Sequence, residues 1–234
     1  MNTRSSEKEK LDNLNLAGGH LSGALKSLAW VNRWFGNHRS MVKTVTRFCD
    51  RANKPVSIID LGCGGGDTIL ALAKQLHKKN IPFTISGIDG NKNSLQYAQT
   101  VCAAFNEITF IEADILKAGF EIPACDILIS SHFMYHFSEN DLVHFLNMNS
   151  ANVSTAFIFS ELERNRLSLF LFTISNLILP ISDLAKKDGA LAIKRSFTKK
   201  EWLTLLQKAN NIPFKIRRVP LFRLLTIVYA NRKP

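Results

Sequence analysis

Residues Ile58–Thr68 read IIDLGCGGGDT, an apolar run that leads into a glycine-rich turn with an aspartate on each side. In open α/β sheets a turn of this kind follows the first strand and lies beside the ligand site, at the carboxyl ends of the strands. Such turns often hold phosphate, because glycine lets backbone N–H groups approach it. Asp60 and Asp67 oppose that use, since a carboxylate repels phosphate. The stretch therefore predicts an α/β fold whose ligand carries positive charge near the turn.

Short apolar runs, many of them rich in β-branched residues, recur after Pro55 and are typical of strands. They lie at residues 56–60, 83–89, 108–114, 125–131 and 154–161. Apolar residues at helical spacing fill the stretches between the first four runs, and Ser138 with Asp141 marks a further helix start after the fourth. Strands that alternate with helices indicate a parallel sheet covered by helices on both faces.

Both ends of the chain depart from this alternation. Apolar spacing predicts helices at residues 20–35 and 40–52, before the first strand. Near the other end, a capping-box pattern at 198–201 opens a helix, and strand-like runs follow at 214–219 and 224–230. The four residues between these runs cannot hold a crossover helix, so the last two strands are predicted to be antiparallel neighbours. The result is a sheet of seven strands with one of them reversed.

A chain of 234 residues can bury one full core, so we expect a single domain. Its predicted parts are a helical cap (1–54), a ligand-binding core (55–160), a helical insertion (161–197) and a final helix with a β-hairpin (198–234). The four cysteines form no C-x-x-C pair, and the polar amino terminus lacks the apolar region of a signal peptide. These features predict a cytoplasmic protein.

The glycine turn narrows the ligand class. A dinucleotide fingerprint reads G-x-G-x-x-G, and Gly62 and Gly64 fill its first two positions, but Asp67 occupies the third, where its charge opposes a pyrophosphate. The chain also lacks the G-x-x-x-x-G-K-S/T pattern that holds a nucleoside triphosphate. S-adenosylmethionine fits better, because its sulfonium and α-ammonium groups are cationic. The carboxylates of Asp60 and Asp67 would then attract the ligand instead of repelling it.

Acidic side chains also end the next two strand runs. Asp89 closes the second run, where it is placed to accept hydrogen bonds from both ribose hydroxyls of such a nucleoside. Asp114 closes the third run and is placed to accept one from the adenine amino group, while the backbone N–H of Ile115 meets the ring. The spacing of these acids supports the same ligand as the glycine turn does.

Four segments carry a family resemblance: IIDLGCGGGDT, ISGIDGNKNSLQYA, ITFIEADI and CDILISSHFMYHFS, in this order across residues 56–161. Together they resemble the class I S-adenosylmethionine-dependent methyltransferases, and among these the small-molecule enzymes of quinone biosynthesis and polyketide tailoring. The resemblance implies a Rossmann-like, seven-stranded mixed sheet with the last strand antiparallel, helices on both faces, amino-terminal helices and a helical insertion after the fifth strand. It also implies cofactor contacts from residues at the strand ends: Asp60, Gly62, Cys63, Gly64, Asp67, Asp89, Gly90, Asn91, Asp114, Ile115 and Ser131.

Candidate catalytic residues follow the fourth strand run, where the resemblance directs His132, Tyr135 and His136 toward the transferred methyl group. A phenolic acceptor is ionised only to about one part in a thousand at neutral pH, which favours a general base. His136 is the first candidate and His132 the second, and transfer without a base is the third alternative. His132, His136 and Glu139 have the spacing of metal ligands on a helix, but no further ligand pattern accompanies them, so no metal is predicted.

The acceptor is expected to lie against the flanks of the core. Residues 167–181 are largely apolar and predict one helical stripe, too short to span a bilayer. This stripe is either ordinary core or, with Asn32–Gly36, a lid over a small apolar or aromatic acceptor. Basic residues beside it predict contact with a membrane surface or an acidic group: Lys186, Lys187, Lys194 and Arg195.

Three function classes follow from these features. Methylation of a small phenolic, quinone or polyketide-type acceptor at oxygen or carbon is the leading one. The net charge of +11 suggests nucleic-acid methylation as the alternative, although the core is acidic and only the flanks are basic. That alternative is weakened because the chain lacks an N/D-P-P-Y segment, a Pro-Cys nucleophile and an added RNA-binding module. A cofactor-binding protein without catalytic activity is the third.

Overall fold

A computed structural model describes residues 1, 3–52, 54–209 and 213–230. Its strands are β1 (Val56–Leu61), β2 (Phe83–Asp89), β3 (Ile108–Glu112), β4 (Cys125–Ser131), β5 (Val153–Leu162), β6 (Phe214–Val219) and β7 (Arg223–Tyr229). Its α-helices are α1 (Gly18–Trp34), α2 (Asn37–Cys49), α3 (Asp67–Lys78), α4 (Lys92–Cys102), α5 (Glu139–Met148), α6 (Arg166–Ser175), α7 (Asp183–Arg195) and α8 (Lys199–Lys208).

The seven strands form one sheet in the order β3-β2-β1-β4-β5-β7-β6. β1 to β5 are parallel to one another, whereas β7 pairs antiparallel with both β5 and β6. This arrangement confirms the predicted Rossmann-like mixed sheet with a reversed last strand. The carboxyl ends of β1, β2 and β4 therefore meet at one edge, and the amino end of β7 joins them there.

Burial along the strands follows their position in the sheet. β4 and β7 are buried over nearly their whole length, which explains their continuous apolar runs. The edge strand β6 is largely exposed, and its charged side chains at Lys215, Arg217 and Arg218 discourage pairing with another chain. Helices pack on both faces of the sheet, with Met41 and Leu72 in one core, and Leu142 and Trp202 in the other.

The insertion after β5 contains two helices that do not follow the predicted stripe. α6 ends at Ser175, whereas the stripe at 167–181 predicted a helix that continues to Ile181. The prediction of a single helix is wrong because Pro180 has no N–H to donate, and its ring would clash with the carbonyl of Asn176, which is the residue that caps α6. None of the helices in the described ranges has both the length and the apolar composition needed to cross a bilayer.

Candidate active site

A cavity of about 680 Å³ opens at the carboxyl edge of the sheet. Its floor is the glycine turn after β1, and its sides come from the ends of β2 and β4 and from the start of β7. The amino-terminal segment, helix α1 and the insertion helices α6 and α7 complete the wall. The predicted core and both predicted flanks therefore meet around one site.

The glycine turn has a backbone shape that side chains would prevent. Gly62 and Gly64 both adopt positive φ, at 66° and 50°. A Cβ at Gly62 would collide with the Phe133 ring, so this position also requires close packing. The N–H of Gly64 donates to Oδ2 of Asp89 at 2.9 Å, which ties the turn to the end of β2.

Asp67, the first residue of α3, lines the cavity as an anion. Its Oδ2 lies 2.6 Å from Nε2 of His38 and accepts a hydrogen bond from the amide of Asn32 at 2.9 Å. Burial opposes ionisation of this carboxyl, but His38 and Asn32 outweigh it and lower the pKa of Asp67. The negative charge suits a cationic ligand and opposes phosphate.

Asp60 occupies a different position from Asp67. Its side chain is 2% exposed and does not line the cavity, and its Oδ1 finds no hydrogen-bond partner among the described residues. Burial raises the pKa of Asp60 well above its usual value, and the charges of Asp67 and Asp89 add to that effect. Asp60 therefore does not contact a ligand in the cavity directly, and any effect that it has on the ligand is electrostatic and acts over the intervening residues.

Asp89 lies at the end of β2 and faces the cavity. Besides the N–H of Gly64, it accepts the N–H of Asn91 at 2.8 Å. Burial raises the pKa of Asp89, and these two donors offset part of the rise. The carboxylate is thus oriented by the backbone.

Asn91 lines the cavity, and its side chain holds the amino-terminal segment. Its amide donates to the carbonyl oxygens of Asn13 and Leu16 at 3.3 and 3.1 Å. Leu14 lies against Gly90, where a Cβ would approach the leucine to 2.9 Å. The segment before α1 therefore covers this end of the cavity. No pattern in the sequence predicted this contact.

The remaining predicted cofactor residues also line the cavity: Cys63, Asp114, Ile115 and Ser131. Asp114 is exposed, two residues beyond the end of β3, and accepts the N–H of Leu116 at 3.1 Å. The hydroxyl of Ser131 accepts a hydrogen bond from the side-chain amide of Asn37 at 2.7 Å, and the oxygen of the same amide accepts one from the Ser160 hydroxyl. Buried Asn37 thus joins α2 to the ends of β4 and β5, a role that its polarity on a buried helix face could have indicated.

His132 follows β4 in a left-handed conformation, with φ of 56°. Its Nε2 accepts a hydrogen bond from Nε of Arg223 at 3.3 Å. Burial lowers the pKa of His132 to about 3, and the Arg223 charge adds to the effect. The ring is therefore neutral at pH 7 and is a weak base.

His136 and Tyr135 also line the cavity, with their rings stacked at 4.4 Å. Nδ1 of His136 lies 3.2 Å from Oδ1 of Asp12 and 3.1 Å from Nη2 of Arg195. Burial lowers the pKa of His136 to about 4 despite the Asp12 charge. The Tyr135 hydroxyl donates to Glu9 at 3.2 Å, and burial raises its pKa well above the usual value, so this phenol stays protonated.

The helix assumed in the metal hypothesis is not observed. His132 has left-handed backbone, His136 lies in a single 3₁₀ turn, and Glu139 begins a separate helix, α5. A different group of potential ligands, Glu9, Asp12 and His136, lies close together. Arg195 donates to both of its carboxylates, so the cation there is a guanidinium.

Arg195 was predicted, with its three lysine neighbours, to approach a membrane surface or an acidic group, and the second alternative is observed for it. Its guanidinium is buried against the carboxylates of Glu9 and Asp12 at 2.9 and 2.8 Å. Asp188 shares the buried face of α7 and accepts the N–H of Leu11 at 2.8 Å. Charged residues at helical spacing on the apolar face of α7 were the signal for this site.

The insertion supplies an apolar part of the cavity wall. Leu171 and Phe172 of α6 line it, together with Ile181 and Ala185 from the start of α7. Helix α1 and its end add further apolar side chains to the lining: Leu25, Leu28, Val31 and Phe35. The lining therefore combines carboxylates at the strand ends with apolar side chains from α1 and the insertion.

Comparison with known proteins identifies the family. The profile described as "Methyltransferase domain" matches residues 52–213, more than half of the chain. A search of curated protein sequences finds no significant match. Among solved structures, the chain is similar to the plantazolicin methyltransferase BpumL in complex with SAH, with a TM-score of 0.66, 18% identity, and 91% of this chain and 95% of that one covered.

Two further structures share the fold. One is the magnesium protoporphyrin IX methyltransferase of Synechocystis with bound SAH, with a TM-score of 0.52, 19% identity, and 82% and 83% of the two chains covered. The other is the CMeT domain of the citrinin polyketide synthase, with a TM-score of 0.61, 10% identity, and 82% and 52% covered. The family match and the shared fold confirm the expected methyltransferase, and the chain belongs to the methyltransferase domain family.

Proposed function

We propose that this enzyme transfers a methyl group from S-adenosylmethionine to a small apolar or aromatic acceptor of the phenolic, quinone or polyketide type, at oxygen or carbon. The observation that carries the proposal is that one cavity is lined both by the carboxyl groups of Asp67 and Asp89 and by the apolar side chains of Leu171 and Phe172. The carboxyl groups suit a cationic nucleoside, and the apolar side chains suit an apolar acceptor.

The methyl donor is S-adenosylmethionine, which supplies a methyl group activated by its sulfonium. The plantazolicin and magnesium protoporphyrin methyltransferases, both solved with SAH, support this donor. Asp67 would accept from the α-ammonium group and Asp89 from the ribose hydroxyls. Asp114 and the N–H of Ile115 would hold the adenine. The ionised state of Asp67 and the backbone-oriented Asp89 fit these roles.

The acceptor class rests on the apolar wall. Phe35 at the end of α1 lines the same cavity as Leu171 and Phe172 of the insertion, so the predicted lid has side chains for an aromatic or aliphatic guest. The CMeT domain with the same fold belongs to the citrinin polyketide synthase, and this similarity supports a polyketide-type acceptor here. Burying the guest among these side chains would also exclude water from the transfer.

We assign the role of general base to His136, whose Nδ1 lies 3.2 Å from Oδ1 of Asp12 and 3.1 Å from Nη2 of Arg195. The imidazole is neutral at pH 7, so a lone pair is available, but its pKa near 4 makes it a weak base. His132 is a weaker candidate because Arg223 donates to its Nε2. An acceptor with an acidic proton fits these weak bases better than one with a strongly held proton.

Exposed apolar side chains support peripheral contact with a membrane, the compartment in which an apolar acceptor would dissolve. Leu177 and Ile178, after α6, are 86% and 81% exposed, and Phe170 is exposed on the same helix. Lys187 and Lys194 of α7 are exposed and could approach anionic lipid. Flotation with anionic liposomes tests this contact. Wild type should float, a Leu177→Glu, Ile178→Glu variant should not, and a wild type that stays in the dense fraction contradicts the contact.

All four cysteines are buried free thiols, which accords with the predicted cytoplasmic location.

The decisive experiment is incubation of the enzyme with methyl-labelled S-adenosylmethionine and a fractionated cell lysate. Label in the organic extract supports a small apolar acceptor. Label in RNA would instead establish the nucleic-acid alternative, and no label in any fraction would favour a protein that binds the cofactor without catalysis. An Asp67→Asn, Asp89→Asn variant serves as the control for donor-dependent counts.

A further inference from the structure

The cavity contains a buried positive charge that forms no ion pair with any acidic group in the described part of the chain. Arg223, the first residue of β7, is 3% exposed and lines the cavity. Its Nε donates to His132 at 3.3 Å, and its Nη1 donates to the carbonyl oxygen of Phe35 at 2.9 Å. Both partners are uncharged groups. Neither hydrogen bond therefore compensates the charge of the guanidinium.

The other buried arginines show that this arrangement is exceptional among the described residues. Arg195 forms ion pairs with Glu9 and Asp12, and Arg164 forms one with Glu201. Within the ranges that the structure describes, no carboxylate lies within 4.0 Å of Arg223. Burial alone lowers the pKa of Arg223 to about 10, so the group remains cationic at pH 7. A buried charge without a counterion is costly, and a bound anion would remove that cost.

The surroundings of Arg223 point to the acceptor as the source of that anion. Leu162, Leu221 and Phe222 line the same part of the cavity, and Phe35 accepts from the guanidinium itself. A small polar anion would gain little from these apolar neighbours. An aromatic ring or an apolar chain that carries one anionic oxygen matches both the charge and the walls.

We propose that Arg223 binds an oxyanion of the acceptor, so that the enzyme selects acceptors with a phenolate-type or carboxylate oxygen. The proposal rests on the proposed function and names the substrate chemistry of that site. For a phenol, the hydroxyl proton passes to His136 and from there to solvent, and Arg223 stabilises the phenolate that remains. Because the anion is stabilised in this way, a weak base is sufficient.

The experiment uses 4-nitrophenol, whose phenolate absorbs visible light, with full-length protein saturated with S-adenosylhomocysteine. A pH titration followed by absorbance gives the apparent pKa of the bound phenol. For wild type we expect this pKa to fall by about one unit or more, which means at least tenfold tighter binding of phenolate than of phenol. Arg223→Met should abolish the fall, and Arg223→Lys should keep part of it. Arg217→Met, which removes an exposed arginine on neighbouring β6, should match wild type.

Two results would overturn the proposal. One is a wild-type protein that binds no 4-nitrophenolate, or whose pKa fall persists in Arg223→Met. The other is a loss of S-adenosylhomocysteine affinity in Arg223→Met while the phenol titration stays unchanged, which would assign the guanidinium to the cofactor carboxylate. Thermal unfolding shows whether each variant is folded. The proposed function fails separately, when labelled methyl groups do not enter the organic extract, so the two failures are distinguishable.

Discussion

Nε2 of His38 lies 2.6 Å from Oδ2 of Asp67, at the amino-terminal end of α3. The contact joins the start of α2 to the glycine turn, and Asn32 of α1 donates to the same oxygen. The helices before the first strand therefore determine the charge of the cavity, because they keep Asp67 ionised against the effect of burial. Part of the cofactor side of the site is built by residues outside the core that carries the family motifs.

Asp67→Asn is expected to weaken binding of S-adenosylmethionine roughly 10- to 100-fold. The substitution keeps the size of the side chain but removes the charge that would accept from the α-ammonium group, and hydrogen bonds to charged groups contribute about 1.5–3 kcal/mol. Isothermal titration calorimetry measures the change directly. Asp183→Asn, on the exposed amino end of α7, is the matched control and should bind as wild type does. Equal affinities for Asp67→Asn and wild type would contradict the role of Asp67.

The parallel sheet and its ligand edge were predictable because local sequence patterns indicate them. The run at 56–60 and the acids that end the next strands mark a parallel sheet with its ligand edge. The reversed strand followed from the length of one connection. The four residues after the predicted strand at 214–219 are too few for a crossover helix and can form only a hairpin. The end of α6 was missed because apolar periodicity continued past it, while Pro180 stopped the helix.

The other half of the site could not be predicted, because its contacts join distant parts of the chain. Glu9 pairs with Arg195, and Asn13 accepts from Asn91, although the amino-terminal segment shows no apolar periodicity that would mark it as structured. Arg223 opens an apolar strand and could not be distinguished from an exposed strand end. Only the fold brings Glu9 and Arg195 together beside His136, and Arg223 beside His132.

His136→Ala is expected to lower turnover about 100-fold or more, because a general base contributes about that factor to catalysis. Affinity for S-adenosylhomocysteine should change little, since the donor is held from the glycine turn. The measurement is the rate of label transfer into the organic extract. His144→Ala removes an exposed histidine of α5 and is the control. Unchanged turnover in His136→Ala would show that transfer proceeds without this base.

Acid is expected to destabilise the protein through His132. The pKa of this group is about 3 in the folded state and about 6.5 when unfolded, so the folded state binds fewer protons between these values. The contribution of His132 to the free energy of unfolding is therefore fully present above pH 6.5 and is lost as the pH falls toward 3. For this one group the loss between pH 7 and pH 5 is about 2 kcal/mol.

His132→Asn tests that linkage. Asparagine tolerates the left-handed backbone at this position, and its amide oxygen can accept from Arg223, but it does not titrate. Urea unfolding at pH 7 and pH 5 should show a smaller loss of stability for this variant than for wild type and for the surface control His144→Asn. Identical losses in all three proteins would place the acid sensitivity elsewhere.

The two cavity arginines are expected to differ in their effect on stability. Arg195→Met leaves buried Glu9 and half-buried Asp12 without their cationic partner, which costs about 3–5 kcal/mol and lowers the melting temperature by roughly 10 °C. Arg223→Met removes a buried charge that has no counterion, so the two lost hydrogen bonds are offset and the change should stay within about 1 kcal/mol. Scanning calorimetry measures both variants, with exposed Lys194→Met as the reference.

Replacing Glu9 and Asp12 by their amides in the Arg195→Met background should recover part of the lost stability, because the stranded charges are then removed. A structural role for Arg223 equal to that of Arg195 predicts the opposite pattern, in which both single variants melt at similarly reduced temperatures. That outcome would remove the reason for regarding the Arg223 charge as kept for a ligand. A stable Arg223→Met protein that no longer shifts the pKa of bound 4-nitrophenol would show that this charge contributes to binding at no benefit to folding.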